Sequence, residues 1–326
     1  MKLTVLIPTW RRPRELAHCL DGLERQTRRP DEVLVVARDE DPETLSLLER
    51  RRRSGGQALR AVRVDSPGQV RSLQVGLTEA EGEGVAITDD DAVPRPDWLE
   101  RIERCLTEQP AVGGVGGRDW VHRGERVHDG SRRGVGKIRW YGRVIGNHHL
   151  GVGEARAVDL LKGVNMAFRR DALRGVRIAE GLRGGGAQVH CDMDICLAVK
   201  RAGWTLVYDP AIAVDHYPAE RFDEDQREGR PAVALQNEVY NEAYVLARRL
   251  PPRRAALPLL YGLLVGRRGA PGPLVAIERA ARGEHTGALL RACTRTRIEA
   301  LAAALREPNH PMPTSNDGWS RHGDCS

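Results

Sequence analysis

Short apolar runs alternate with segments of helical periodicity along the N-terminal part of the chain. The apolar runs end in Pro or in polar residues, which is typical of buried strands; they cover residues 3–7, 33–37, 59–64 and 84–88. Between them, Leu and Val recur every three or four residues, as on the inward face of a helix. Repeated strand–helix alternation predicts an α/β fold, with a mostly parallel sheet flanked by helices on both faces.

The pattern is less regular after about residue 110. It predicts a strand, an extended segment and a helix in turn, at Val112–Trp120, Leu160–Arg170 and His190–Gly203. Two short strand-like pieces then lead to His216. The glycine-rich segment 181–186 suits either a loop that closes over a substrate or a plain surface loop.

The character of the chain changes after Phe222. Amphipathic helices with Arg-rich polar faces follow, so residues 221–306 are predicted to form an α-helical C-terminal extension. The apolar stretch 257–265 lies beside Arg267 and Arg268. It suits a membrane interface, or packing on the rest of the chain or on a second subunit, and packing is favoured. Residues 307–326, rich in Pro, Asn, Ser and Gly, are predicted to be a disordered tail.

Composition and charge narrow the class of protein. A chain of 326 residues with 40% hydrophobic and 29% charged residues is ordinary for a globular protein. Its net charge of +6 comes almost wholly from Arg and favours anionic partners such as nucleotides, nucleic acid or acidic lipid headgroups. The six Cys form no CxxC pair, so a zinc ribbon or disulfide framework is not indicated. No apolar run has the length of a signal peptide core or of a membrane span, and we expect a cytoplasmic protein.

Three consecutive carboxylates follow the fourth apolar run, at Asp89, Asp90 and Asp91. Ligands of open α/β sheets bind at the carboxyl ends of strands. Like charges this close raise one another's pKa unless a cation neutralises them, and oxygen ligands suit Mg²⁺ or Mn²⁺ bound together with a substrate phosphate. The alternative is a solvated turn before a helix, where acids are favoured anyway. The GxGxxG and GxxxxGK[ST] signatures of dinucleotide and P-loop sites are absent.

Two further groups could carry chemistry. Asp192, at the start of a predicted helix, is either a helix cap or a general base. Asp194 lies two residues further on and therefore points in another direction. His216 follows the last strand-like piece. A lone histidine is more often structural, but imidazole is an acceptable Mn²⁺ ligand if Asp91 holds a metal.

Five segments, in order, resemble motifs of the inverting family 2 glycosyltransferases with the GT-A fold. They are Val5–Pro13, Thr88–Leu99, Gly163–Arg170, Asp192–Trp204 and Val214–His216. The resemblance implies a Rossmann-like catalytic and nucleotide-sugar-binding domain over residues 1–220. It also implies an enzyme of the hexosyltransferase type, which moves a sugar from a nucleotide-diphosphate sugar to an acceptor hydroxyl.

The resemblance also assigns roles to individual positions. Asp192 is the expected catalytic base, Asp91 the main ligand of Mn²⁺ or Mg²⁺, and His216 a further metal or diphosphate contact. The expected nucleotide-binding residues are Pro8, Thr9, Arg12, Asp39, Arg71, Asp89 and Asp90. The chain departs from the family at two places. Leu73-Gln74 replaces the usual Arg-Asn pair, with Arg71 two residues earlier, and Cys191 replaces the acid before the catalytic Asp, so Asp194 is the fallback base.

The resemblance leaves the partners broad. The acceptor would be a glycan, a lipid-linked sugar or a small molecule, in glycan, polysaccharide or glycolipid biosynthesis. Contact of the C-terminal helices with the inner face of a membrane, and a homo-oligomer, both stay open. Two alternatives fit less well. A nucleotidyltransferase needs a Lys-containing loop after the first strand, and a nucleic-acid-binding protein needs more than 4% aromatics and a striped arrangement of Arg. We therefore expect no nucleic-acid partner.

Overall fold

The computed structural model describes residues 1–55, 58–223 and 232–306. The strands are β1 Leu3–Thr9, β2 Glu32–Arg38, β3 Leu59–Val64, β4 Gly84–Ile87, β5 Ala92–Pro94, β6 Val112–Arg123, β7 Arg126–Val127, β8 Lys137–Ile138, β9 Val144–Ile145, β10 Arg156–Val158, β11 Met166–Arg169, β12 Thr205–His216, β13 Gly266–Arg267 and β14 Ala270–Pro271. The helices are α1 Pro13–Glu24, α2 Pro42–Ser54, α3 Gln69–Glu79, α4 Trp98–Glu108, α5 Arg170–Leu173, α6 Cys191–Arg201, α7 Ala232–Arg249, α8 Pro252–Leu264, α9 Pro273–Ala280 and α10 Gly287–Arg306.

A ten-stranded sheet forms the centre of the fold, in the order β10-β12-β6-β11-β4-β1-β2-β3, with β5 on β12 and β7 on β6. Strands β1 to β4 pair in parallel, and β6 pairs in parallel with β12. Strand β11 is antiparallel to both β4 and β6, which makes the whole sheet mixed. The predicted α/β architecture is confirmed, because apolar residues fill both faces of β1, β2 and β4, as in a sheet covered by helices.

Strand β12 differs from the two short pieces expected from the sequence. It is a single strand of 12 residues, interrupted in its pairing with β6 by a register shift between Asp209 and Ala213. Gly117 faces this bulge, where a Cβ would contact the carbonyl oxygens of Asp209 and Ile212. The bulge redirects the end of the strand. His216 consequently pairs with Ala92 of β5, beside the acid triplet.

Two hydrophobic clusters hold the helices on the sheet. One contains Leu16, Leu20 and Trp98 of α1 and α4. The other joins the opposite face of the sheet to α6 and to Tyr244 of α7, which is fully buried. The first of the C-terminal helices therefore shares a core with the sheet. The division into residues 1–220 and 221–306 stays a prediction, and the predicted tail 307–326 lies outside the described residues.

Helices α7 to α10 closely match the four amphipathic helices expected from the sequence. No helix in the described ranges is both long and apolar enough to cross a bilayer. His148, in the loop before β10, is buried, and its Nε2 lies 3.0 Å from the carbonyl oxygen of Leu160. Burial lowers the pKa of His148.

Candidate functional site

An open cleft with a volume of about 110 Å³ lies at the sheet edge where β1, β2 and β4 end. Because these strands are parallel, the residues that follow them meet at this edge. The lining also includes the start of α3, the glycine-rich loop before α6 and the chain after β12. The lining residues are Pro8, Thr9, Trp10, Arg12, Arg38, Gly68, Gln69, Ser72, Asp89, Asp90, Asp91, Gly186, Ala187, Arg221, Phe222 and Asp223.

Asp90 organises the floor of the cleft. Its carboxylate accepts a hydrogen bond from Thr9 Oγ1 at 2.8 Å and one from Arg12 Nη1 at 2.9 Å. Burial raises the pKa of Asp90 to about 7; Arg12 opposes the shift and the Asp91 carboxylate adds to it. Asp90 is only 2% exposed, so it acts by fixing Thr9 and Arg12 rather than by offering a free carboxylate. The sequence placed Asp90 in the nucleotide set and gave no indication of this bracing role.

His216 lies between two buried carboxylates. Its Nε2 is 3.3 Å from Asp91 Oδ1, and its Nδ1 is 3.5 Å from Asp119 Oδ2. Burial alone would lower the pKa of His216, but Asp119 and Asp91 raise it. Asp119 also forms an ion pair with Lys162. Burial alone would raise the pKa of Asp119, but His216 and the Lys162 ammonium lower it to about 2.

The residues at this edge fit a hard divalent cation. Asp89, Asp91 and His216 each offer one ligand atom, and these atoms lie within 4.8 Å of one another. Both ring nitrogens of His216 are buried and accept or donate no hydrogen bond within the described part of the chain. Two carboxylates and an imidazole are an acceptable donor set for Mn²⁺. The structure thus brings together the two expected metal ligands, Asp91 and His216, with Asp89 of the expected nucleotide-binding residues.

Asp192 lies outside the cleft lining. It is partly exposed at the start of α6 and accepts hydrogen bonds from the backbone N–H groups of Gly163 at 3.1 Å and Met193 at 2.8 Å. The next residue after Gly163 is Val164, whose carbonyl oxygen accepts a 2.9 Å hydrogen bond from Thr88. Asp192 is therefore connected to the residue before Asp89 through one short loop.

Asp194 does not reach this region. It is fully buried and accepts two hydrogen bonds from Arg249 of α7, at 2.7 and 2.6 Å, and one from Ala179 N at 3.0 Å. A carboxylate held in this way joins α6 to α7 and has no route to a substrate. The geometry therefore gives Asp194 a structural contact and leaves Asp192 as the candidate base.

The segment Tyr217–Asp223 lies across the cleft. The backbone N–H of Ala219 donates to Asp91 Oδ2 at 2.9 Å, and the carbonyl oxygen of Glu220 accepts from Arg12 Nη2 at 2.7 Å. The ring of Phe222 meets Trp10 edge-on, with centroids 6.2 Å apart. This segment therefore contacts the polar groups that an anionic ligand would meet.

The glycine-rich loop forms the opposite wall. The carbonyl oxygen of Gly186 accepts a 2.8 Å hydrogen bond from Gln69 N, and Val70 N donates to Gln188 Oε1 at 2.9 Å. Gly68 adopts a φ of +111°, and a Cβ there would contact Gln188. The loop is thus seated on the N-terminus of α3, at the cleft.

Asp39 and Arg71 lie outside the cleft, contrary to the expected nucleotide pocket. Both are exposed, and Asp39 Oδ1 lies 4.0 Å from Arg63 Nη1. Their roles in nucleotide binding stay predictions. Trp10 and Arg38 were not among the predicted site residues, although both stand at the ends of strands, β1 and β2. The Arg38 guanidinium lies 3.9 Å from the Trp10 ring centroid.

Asp119 was also missed. It lies in strand β6, where it follows the run of Val and Gly at 112–117 and stands next to Arg118, so its position in a buried strand is the available signal. Its partners come from distant parts of the chain. The pairing of β6 with β12 brings His216 to it, and the pairing of β6 with β11 brings the segment that contains Lys162.

The fold and the strand-end acids define the class of protein. A mixed, mostly parallel sheet flanked by helices, with an Asp-x-Asp segment after β4, is the architecture of the GT-A glycosyltransferases. Residues 2–230 match the model of the family described as "Glycosyltransferase like family 2". The chain belongs to glycosyltransferase family 2 and is a glycosyltransferase, as the resemblance implied.

Two curated relatives match parts of the chain. It is 29% identical over 164 residues to the uncharacterized protein y4gI of Sinorhizobium fredii, a match covering 47% of this chain and 17% of that protein. It is 25% identical over 227 residues to a glucosyl-dolichyl phosphate glucuronosyltransferase of Haloferax volcanii, covering 66% of this chain and 69% of the relative. The match to y4gI therefore spans only a small part of that protein.

Solved structures share the fold. The mannosyltransferase PcManGT from Pyrobaculum calidifontis, in complex with GDP-Man and Mn²⁺, aligns with a TM-score of 0.54 at 20% identity over 93% of this chain and 86% of that one. TarS 1–349 from S. aureus, in complex with UDP-GlcNAc, gives a TM-score of 0.58 at 17% identity over 94% and 81%. At 20% and 17% identity, the similarity to these structures shows a shared fold and nothing beyond it.

Proposed function

We propose that the chain transfers a sugar, with inversion, from a nucleotide-diphosphate sugar to an acceptor hydroxyl, and that it uses Mn²⁺ or Mg²⁺. The observation that carries this proposal is the cluster of Asp89, Asp91 and His216 at the same cleft as Thr9 and Arg12. A divalent cation held by this cluster would supply positive charge to the leaving diphosphate. The structures of PcManGT with GDP-Man and Mn²⁺, and of TarS with UDP-GlcNAc, support the donor class.

The chain's own groups have distinct tasks in this proposal. The Arg12 guanidinium, braced by Asp90, would bind a phosphate oxygen once Glu220 releases it. Ala219 N occupies Asp91 and the Glu220 carbonyl oxygen occupies Arg12, so the segment Tyr217–Asp223 would release both groups when a diphosphate binds. Asp192 would take the proton of the acceptor hydroxyl as it attacks the anomeric carbon. A single displacement of this kind inverts the configuration.

The relative in H. volcanii, whose name specifies a sugar on a dolichyl phosphate, supports a lipid-linked acceptor. A lipid-linked sugar is therefore the first acceptor to assay, in glycolipid or glycan biosynthesis. We propose that the enzyme works in the cytoplasm at the inner face of a membrane.

A thermal-shift screen of nucleotide sugars with and without Mn²⁺ tests the donor proposal. A ligand at a hundredfold excess over its dissociation constant stabilises the folded state by about 2.7 kcal/mol. The Mn²⁺-dependent part of the shift should vanish in Asp91→Asn and persist in Asp171→Asn, a control carboxylate whose side chain is 58% exposed and pairs with the exposed Arg174. Absence of any shift, or a shift that is the same without Mn²⁺ and in Asp91→Asn, would overturn the proposal.

A further inference from the structure

The hairpin of β8 and β9 presents a tryptophan at a basic tip. Trp140 is 79% exposed and stands next to Arg139, with Arg143 completing the turn. A hydrogen bond from Arg139 N to the carbonyl oxygen of Arg143, at 2.9 Å, closes this turn. Residues 130–153 contain five Arg or Lys and no Asp or Glu. The tip therefore combines an exposed aromatic ring with positive charge.

The hairpin tip is docked on α8. The ring centroid of Tyr141 lies 5.0 Å from that of Tyr261. Gly142 has a φ of +96° and approaches so closely that a Cβ would contact Pro258. Trp140 is thus held beside α8 by Tyr141 and Gly142, the two residues that follow it in the turn.

Helix α8 exposes one row of leucines. Leu257, Leu260 and Leu264 are 39%, 53% and 55% exposed, and their spacing puts them on one face of the helix. Ala255 is buried on another face, and Leu259 packs against the main core. The helix therefore packs on the protein with one face and presents leucines with the other.

Four arginines near this surface have no acidic partner among the described residues. Arg132, Arg133, Arg139 and Arg143 are exposed and form no ion pair with any described residue. An acidic polymer would satisfy these arginines but gain nothing from the leucines. An anionic lipid surface satisfies both, since arginines pair with headgroups while leucines and an interfacial tryptophan enter the acyl boundary.

We propose that this surface, defined as the β8–β9 tip and the exposed face of α8, docks the protein on anionic phospholipid membranes. The inference goes beyond the proposed function and holds whichever sugar is transferred. Docking in this way would bring an enzyme without a described spanning helix to the bilayer where lipid-linked acceptors reside.

Co-sedimentation of the full chain with vesicles tests the proposal without donor or acceptor, so its failure is separate from failure of the proposed function. The chain should pellet with vesicles of equal parts phosphatidylcholine and phosphatidylglycerol, and much less with phosphatidylcholine alone. Trp140→Ser should weaken partitioning about tenfold. Arg139→Ser and Arg143→Ser should each weaken it about fivefold, and raised salt should act in the same direction.

Two variants serve as matched controls. Leu305→Ser removes a side chain of similar exposure, 78%, from the end of α10. Arg53→Ser removes a guanidinium whose side chain is 77% exposed, on α2. Both should partition like the wild type, and melting temperatures should confirm that every variant is folded.

Three results would overturn the proposal. The first is failure of the folded wild type to pellet with anionic vesicles. The second is tight binding to a polyanion such as heparin, together with vesicle binding that needs the arginines but not Trp140 or Leu260. The third is a lipid-free dimer that Leu260→Ser dissociates, which would make the surface a contact between two copies of the chain.

Discussion

Replacing Asp119 by Asn perturbs the proposed metal site without touching a ligand. The Asp119 side chain is fully buried between the ring of His216 and the ammonium of Lys162. Asn keeps the shape of the side chain and removes its negative charge. His216 then loses the carboxylate that faces its Nδ1, while its Nε2 still faces Asp91.

The size of the effect follows from this geometry. A carboxylate that orients a metal-binding histidine fixes the ring and raises its basicity, and loss of such a partner costs about 10–100-fold in metal affinity. This range corresponds to about 1.4–2.7 kcal/mol. The Lys162 side chain is 34% exposed, so its ammonium can turn to water when Asp119 is neutral. We therefore expect the metal site to be affected more than the stability of the fold.

Titration of Mn²⁺, followed by the electron paramagnetic resonance signal of the free ion, measures this directly. The dissociation constant should rise about 10–100-fold in Asp119→Asn. Asp171→Asn, in which an exposed carboxylate on α5 is neutralised, should match the wild type. If the dissociation constant of Asp119→Asn lies within about twofold of the wild-type value, the change is much smaller than expected, and the role assigned to Asp119 is refuted.

Three further predictions concern the base, a buried ion pair and the hairpin. Asp192→Asn should keep donor binding in calorimetry and lose transfer; an active Asn variant would exclude Asp192 as the base. Arg249→Met leaves the Asp194 carboxylate buried without its partner and should cost about 3–5 kcal/mol in urea unfolding, whereas a cost below about 1 kcal/mol would contradict the pairing. Gly142→Ala should lower the free energy of unfolding by about 1–2 kcal/mol for backbone strain, and further because the new Cβ pushes against Pro258. Gly153→Ala, at a φ of +92° in open space, carries the strain alone, so equal losses of stability in the two variants would refute the packing of Gly142 on Pro258.

The Arg249 experiment has an internal control. Replacing both partners, as Asp194→Leu with Arg249→Met, removes the buried charge together with its partner. This double variant should recover much of the loss, because replacing a buried ion pair by apolar residues is often close to neutral. Thus the cost of the single variant would be traced to the unpaired carboxylate.

The strands of the N-terminal half and their parallel arrangement were accessible from the sequence because local signals agree there. Each apolar run is short, ends in a polar residue and is followed by helical spacing, so the strand ends and their residues could be assigned to one edge. Asp89 and Asp91 were found for this reason. Trp10 and Arg38 obey the same rule and line the cleft, although the family resemblance gives neither of them a role.

Contacts between distant segments were not accessible in this way. Asp119 meets His216 only because a bulge after Asp209 shifts the register of β12 against β6. Asp194 is paired with Arg249, which is 55 residues further along the chain. Neither the bulge nor the pairing has a local signal in a single sequence, since both depend on how the sheet and α7 assemble.

The anomeric configuration of the product tests the central claim most directly. The chain is incubated with Mn²⁺, the nucleotide sugar identified by thermal shift and a lipid-linked acceptor, and the anomeric proton of the new linkage is observed by nuclear magnetic resonance. A single displacement assisted by Asp192 predicts a configuration opposite to that of the donor. A product with the donor's configuration would contradict it.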